Sequence, residues 1–432
     1  MTRYSYASSV WLAALLIPAV THASGYALIE QSASGMGNAF AGAAATAEDA
    51  TTIFFNPAGM MYLPDNQLVL AGHAIKPSAD FNNQGSHLSS LTGARPTLGD
   101  NGGGIGDWNF LPNFYFAKSV HPNIKLGLGV NTPFGLNTDY ANTWVGRYQA
   151  LDSDLKTVNI NPSIAFKATD WLSLGAGFSA MWMKADLSNA IDFGTLFKLP
   201  QALDGQARLS GDGWGWGWNL GALFQLGPAT RLGLAYRSQV HQTLQGTATF
   251  SGVPLPLAPL FPDGPVRAQV STPDSLSASV FHQINGTWDV MADLTWTNWS
   301  VFQDLTATRP SGSVLSSTQE HWSDTFRVSV GGNYHVNDKL KLRTGFAYDE
   351  SPVSTAFRTA RIPDSDRYWL SLGANYQLTP TSSVDFGYAH LFFVNANIDK
   401  TTDTSSAALK DTLRGRYDGQ VDILSAQFTH AF

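Results

Sequence analysis

The chain has 432 residues, of which 14% are charged and 12% aromatic, with 40 glycines and a formal net charge of −7. That charge content is low for a soluble protein, yet the mean hydropathy of −0.09 is far too polar for a bundle of membrane helices, and the mild acidity excludes a nucleic-acid-binding face, which needs basic residues to neutralise phosphate. Cysteine is absent, which excludes disulfides, thiolate metal sites and a cysteine nucleophile.

At the amino terminus Arg3 precedes an apolar run from Val10 to Val20, followed by Thr21, His22 and Ala23. The run is too short to cross a bilayer and Ala23 suits cleavage before Ser24, so residues 1–23 read as a signal peptide. No later stretch is apolar for long enough to form a membrane helix. An exported chain of this kind is periplasmic, secreted or an outer-membrane barrel.

The next segment, Ser24 to Leu63, is unlike the rest. It is rich in Gly, Ala and Ser and has neither the period of a strand nor a sustained helical stripe. Pro57 fixes its own φ and pushes Asn56 out of helical geometry, so Asn56-Pro57-Ala58 forms a rigid corner with an amide free to hold a partner.

From residue 66 onward a period of two takes over. Leu172, Leu174, Ala176, Phe178, Ala180 and Trp182 alternate with Ser173, Gly175, Gly177 and Ser179, and similar dyads begin at Ile124, Leu340 and Tyr368. Strands are expected near 66–76, 110–120, 123–135, 154–167, 171–187, 211–226, 229–248, 271–284, 286–302, 324–336, 338–350, 365–378, 381–399 and 415–432. Short turns at His121-Pro122, 168–170, Gly227-Pro228, Asn285, Asn337 and Thr379-Pro380 alternate with long connections. Fourteen strands sorted this way predict an all-β, 14-stranded antiparallel transmembrane barrel with both ends in the periplasm. A soluble β-sandwich would not sort its connections so regularly. The terminal Phe432 suits an outer-membrane barrel, and Trp214, Trp216 and Trp218 share a parity expected of an outer aromatic girdle.

Two features depart from a regular wall. Pro133, with Gly135 beside it, lies in the third strand, where proline removes a ladder bond and predicts a kink or a strand end at Asn131. A barrel of this size also has a lumen wider than its inward side chains fill; the flexible segment before it can fold inside as a plug, the alternative being a plain turn into the first strand. Enzyme signatures of the GxSxG and HExxH type are missing and the ten histidines are scattered, so no catalytic residue, metal or cofactor is assigned.

Several segments in order, SGMGNAFAG (34–42), AEDATT (47–52), NPAG (56–59), TPFGL (132–136), GDGWGWGWNLG (211–221), DESPV (349–353) and RIPDSDRYWLSLG (361–373), resemble the FadL-type outer-membrane channels for long-chain fatty acids and other hydrophobic compounds. The resemblance implies a hatch over 24–65 inside a barrel over 66–432. It implies gating by Ser24, Gly25, Tyr26, Asn56, Pro57 and Ala58, and a lateral opening at the kink formed by Asn131, Pro133, Phe134 and Gly135. Lys184 falls where the fatty-acid transporters carry an arginine, and is the implied partner of a ligand carboxylate. Asp349, Glu350, Arg361, Asp364, Asp366 and Arg367 are expected to form a charge network at the barrel rim. The implied function is ligand-gated passive uptake of long-chain fatty acids, landing on apolar loops such as Val253 to Leu257 with Phe261 and leaving sideways into the membrane; monoaromatic hydrocarbons are the alternative ligand. The expected partners are that hydrophobic ligand and the outer-membrane lipid and lipopolysaccharide around a monomer, with no nucleic acid. A general porin and an adhesin remain competing classes.

Overall fold

The computed structural model describes residues 25–104 and 106–432. The signal peptide read at 1–23, and Ser24, lie outside the described residues. Fourteen walls run antiparallel in chain order: β1 (Asn66–Asn83), β2 (Asn109–His121), β3 (Ile124–Asn131, then Gly135–Asp139), β4 (Asp152–Lys167), β5 (Leu172–Asp192), β6 (Asp204–Gly227) and β7 (Thr230–Arg237, then Val240–Ser251). They continue as β8 (Gly264–Thr272, then Ser275–Gln283), β9 (Trp288–Thr297, then Asp304–Thr308), β10 (Val314–Gln319, then Thr325–His335), β11 (Leu340–Asp349), β12 (Arg367–Thr379), β13 (Ser382–Phe393, then Ala396–Thr401) and β14 (Thr412–Ala431). Pairing of β14 with β1, from Gln67 opposite Ala431 to Asn83 opposite Gly415, closes the barrel. The expected fold is therefore the observed one.

The strands are longer at the loop end than the dyad indicated. β5 and β6 pair as far as Asp192 opposite Asp204, across residues read as a loop from 188 to 210. Beyond the apolar belt neither face meets lipid, so the alternation fades while the backbone ladder continues.

Burial is inverted relative to a soluble sheet. Leu174, Phe178, Trp214 and Trp216 are exposed on the outer face, whereas Ser173, Ser179, Asn161 and Asn219 are buried on the inner one. The rings of Trp214 and Trp216 stack at 6.3 Å in the outer girdle. Polar inward residues are buried because residues 25–65 run inside the lumen.

That inner segment holds two four-residue helical turns, α1 (Ala33–Met36) and α2 (Thr52–Phe55). Ser32 caps α1 by accepting the Gly35 N–H at 2.8 Å. Its small residues bring backbone against backbone: a Cβ on wall residue Gly233 would sit 1.9 Å from the Ala44 carbonyl oxygen. Polar contacts fasten it around the circumference. Asn113 donates to Glu30 O at 2.9 Å, Arg327 to Ala39 O at 2.7 Å, the Ala44 N–H to Ser279 Oγ at 3.1 Å and Gln427 to Asp49 at 2.8 Å, while Glu48 pairs with Lys341 and Arg343. Each neutral bond contributes only about 1 kcal/mol net. The segment is held to the barrel wall by neutral and charged bonds spread around the circumference, beside the bonds it makes within itself.

Candidate functional site

The Asn56 corner anchors one end of the inner segment. Fully buried, Asn56 donates to Ala44 O at 2.7 Å and to Ala222 O of β6 at 3.0 Å, and accepts the Ala58 N–H at 3.1 Å. Pro57 and Ala58 pack so closely on β5 that a Cβ at Gly175 would lie 2.3 Å from the Ala58 nitrogen. Asn56→Ala removes the bonds that tie the corner to the wall and to Ala44, at about 1 kcal/mol net each. We expect a higher ion conductance for the variant in planar bilayers; an unaltered conductance would reduce Asn56 to a simple turn residue.

The other end docks on the third wall. Asn131 pairs with Asn159 and Gly135 with Lys156, so the segment of β3 between them carries one residue more than β4 opposite. This is a bulge, a position where proline is tolerated. Pairing of β2 with β3 stops at Phe114 opposite Val130, and past it no ladder joins the two walls. The inner segment covers this gap from inside: the Leu28 N–H donates to Pro133 O at 2.8 Å, the Gly135 N–H to Tyr26 O at 2.9 Å and Gln31 Nε2 to Thr132 O at 2.9 Å. Phe134 is tied to Thr157 Oγ1 through both its N–H (3.1 Å) and its carbonyl (2.6 Å).

Tyr26 fills an aromatic cage. Trp299, Phe302, Trp322 and Phe134 surround its ring at centroid distances of 4.8, 5.5, 5.6 and 5.8 Å. Gly25 turns at φ +59°, and a Cβ there would meet Trp322 at 2.5 Å. Its N–H donates to Asp364 Oδ2 at 2.9 Å.

Asp364 also accepts Ser351 Oγ at 2.8 Å and pairs with Arg367, which in turn reaches Asp349 at 3.3 Å. Asp366 accepts Tyr348 OH at 2.8 Å and Glu350 accepts the Phe326 N–H at 3.0 Å. Two corrections to the expected rim network follow. Asp349, Asp364 and Arg367 are buried within the barrel, where Asp364 holds the N–H of Gly25, and Arg361 is not among them. Arg361 crosses to β4 and β5, donating to Asp152 O, Ser153 Oγ, Ser188 O and Asn189 Oδ1 at 3.1–3.3 Å.

Above the Tyr26 cage, toward the long loops, lies a cavity of about 750 Å³. Its apolar lining includes Leu136, Leu155, Leu187, Leu244, Val270 and Ile362, and Arg361, Lys400, Glu320, Asp192, Asp403 and Asp411 supply charge-bearing groups. A smaller space of about 160 Å³ lies on the other side, against Ala27, Leu28, Phe54, Pro133 and Phe134. Lys400 is paired with Asp403 at 2.7 Å, whereas every hydrogen-bond acceptor of Arg361 among the described residues is a neutral oxygen. Burial pulls the Arg361 guanidinium down to about 10, still charged at neutral pH, and pushes the nearby Glu320 carboxyl up to about 8, which leaves it protonated.

Lys184 lies elsewhere. It shares the outward parity of Trp182, is half exposed and pairs with Asp186 at 3.0 Å, while its neighbour Ala185 lines the cavity. Of the apolar loop, Leu255 is 89% exposed, and Leu260 and Phe261 reach the cavity.

A family model described as outer membrane protein transport protein (OMPP1/FadL/TodX) matches residues 14–432. The chain belongs to this family. It is 30% identical to the long-chain fatty acid transport protein of Escherichia coli K12 over 424 residues, covering 91% of this chain and 93% of that one. Outer membrane protein P1 of Haemophilus influenzae is 33% identical over 411 residues, covering 88% of each. Among solved structures, a Pseudomonas aeruginosa FadL homologue superposes with a TM-score of 0.86 at 25% identity, over 94% of this chain and all of that one. The Pseudomonas putida toluene transporter TodX shares the fold, with a TM-score of 0.67 at 18% identity over 96% of this chain and all of its own. The chain is an outer-membrane β-barrel of the FadL type that transports hydrophobic compounds, and the members of its family are channels, not enzymes.

Sequence reasoning missed the cage residues Trp299, Phe302 and Trp322, and Glu320. They lie where β9 and β10 break between their two segments, and no periodicity marks them. Arg361 was visible only as one charge in a cluster.

Proposed function

We propose that this FadL-type channel takes up long-chain fatty acids by passive diffusion, with Arg361 reading the carboxylate. The observation that carries this is a charged arginine in the wall of a largely apolar cavity, whose hydrogen-bond acceptors among the described residues are all neutral oxygens. A fatty-acid carboxylate supplies the missing anion, and the acyl chain gains about 0.8 kcal/mol per buried methylene against the leucines and valines. A monoaromatic hydrocarbon has no group for Arg361.

Ligand arrives over the exposed apolar turn at Leu255 and Leu260 and settles in the cavity above Tyr26. Passage then requires Tyr26 to leave its cage and the strand of residues 26–28 to release Pro133 and Gly135. That movement uncovers the unpaired stretch between β2 and β3, through which the chain leaves sideways into the membrane without crossing a wet channel. Nothing in this sequence of events needs covalent chemistry or nucleotide hydrolysis.

The test is competition of oleate and of toluene against a fluorescent long-chain fatty acid on the refolded barrel. Displacement by oleate is the expected result, and displacement by toluene alone would favour a hydrocarbon channel. Affinity should also depend on pH with a defined sign. A free carboxyl ionises above about 4.5, so binding strengthens through that range; as pH rises through about 8, Glu320 ionises and competes for Arg361, and binding weakens several-fold. Glu320→Gln should remove the alkaline fall alone, as a titration of affinity from pH 5 to 10 would show.

A further inference from the structure

The break in β3 has a counterpart on another part of the wall. Asp212 of β6 pairs with Gln245 of β7, and Asn219 pairs with Arg237. Between these points 213–218 and 238–244 form no ladder, although β6 remains paired with β5 throughout. The lower end is pinned by Ser238, whose N–H donates to Trp218 O at 2.8 Å and whose Oγ accepts the Trp218 N–H at 2.9 Å.

Here β7 runs behind β6, on its lumen side. A Cβ at Gly213 would lie 2.3 Å from Thr243 O, and one at Gly217 would lie 2.7 Å from Val240 Cγ2. Val240 and Leu244 face inward onto Met181 and Met183, while Trp214, Trp216 and Trp218 stay exposed outside. The two walls overlap like shingles. An unpaired strand edge facing hydrocarbon is costly and persists only where protein backs it or where it borders a cavity.

Both conditions meet at this seam. Gly211, Leu244 and Gly246 at its upper end line the large cavity, and Asn219, Leu220 and Tyr236 at its lower end line the small one. Leu220, Ala235 and Tyr236 also border an apolar hollow on the outer face with Leu174, Leu234 and Leu276. Asn219, 2% exposed, turns an Nδ2 toward the inner space that finds no acceptor among the described residues. The exposed tryptophans place the upper seam at the membrane interface, where a fatty acid dissolved in the outer leaflet holds its head group.

We propose that the β6–β7 seam is a side entrance through which a long-chain fatty acid already in the membrane reaches the lumen cavity, its acyl chain sliding between the overlapped walls. The inference rests on the fatty-acid reading above. It differs from the β3 opening in direction and in mechanism: the atoms nearest Gly213, Gly215 and Gly217 all belong to residues 238–244, so the overlap that must part contains no residue of the hatch.

The experiment uses the full barrel in phospholipid vesicles loaded with a fatty acid carrying a terminal diazirine, followed by photolysis and peptide mapping. Label is expected on 213–218 and 238–244, suppressed by excess oleate. It should persist in a Leu255→Ser/Leu260→Ser variant, which lacks the route from water. Lipid-facing label at Leu370 of β12, exposed on the outer surface, sets the background that oleate does not suppress. Oleate-sensitive label at Leu136 and Leu187 with only background label on the seam would overturn the side entrance and leave the transport reading intact. Absence of oleate-sensitive label everywhere would overturn both.

Discussion

Deleting Pro133 should cut fatty-acid uptake by about tenfold or more while leaving binding to the refolded barrel unchanged. The third wall carries one residue too many between Asn131 and Gly135 relative to the fourth, and the surplus switches which parity faces inward. Asn131 points in before it, and Leu136 lines the cavity after it. Removing one residue restores a single parity, so that Leu136 keeps its inward place and β3 can run straight beside Asn109 to Asn113 of β2. Those residues now pair with β1 alone. A closed ladder adds several hydrogen bonds to the barrier against lateral exit, and each 1.4 kcal/mol slows passage tenfold. Simple substitution, such as Pro133→Val, restores the N–H but not the register, and is expected to do less. Transport of radiolabelled oleate into cells, set beside equilibrium binding, separates the two effects; uptake at the unmodified rate would rule out exit at β3.

Arg361→Gln is the second large effect. Charge-assisted hydrogen bonds contribute about 1.5–3 kcal/mol, so oleate should bind about 10- to 150-fold more weakly. Methyl oleate, with the same chain and no charge, should bind as before, which distinguishes loss of the anion partner from a disturbed wall. The control is Lys184→Gln. Half exposed and already paired with Asp186, Lys184 should change oleate affinity by less than twofold. Equal weakening of oleate and its ester would assign Arg361 a structural role, tying the loop of Ile362 and Asp364 to β4 and β5.

Much of this architecture was legible before any coordinates. A membrane imposes one requirement on every wall, an apolar outer face, and the dyads of Leu172 to Trp182 and Tyr368 to Tyr376 carry it without reference to any other part of the chain. Prolines and asparagines at His121-Pro122, Asn285 and Thr379-Pro380 mark the tight turns for equally local reasons. The kink, too, was visible, because a proline inside a strand has few permitted explanations.

The site was less legible because it is assembled from breaks in the pattern. Lys184 looked right by position in a motif, yet strand parity turns its side chain outward. Arg361 and Asp364 sit three residues apart in one loop and serve different ends: one crosses the lumen to Ser153 and Ser188, the other holds the N–H of Gly25. The cage around Tyr26 draws Phe134, Trp299, Phe302 and Trp322 from three walls, and the seam depends on which of two paired strands passes behind the other.

Local chain chemistry by itself determined the strand count, the facing of each wall and the place of the rigid corners, since lipid contact and backbone dihedrals act on neighbours in sequence. Tertiary structure alone decided which cavity cation is held by neutral oxygens, where the inner segment seals the wall and where two walls fail to pair. Those outcomes depend on distances between residues hundreds of positions apart, set only when the barrel closes around residues 25–65.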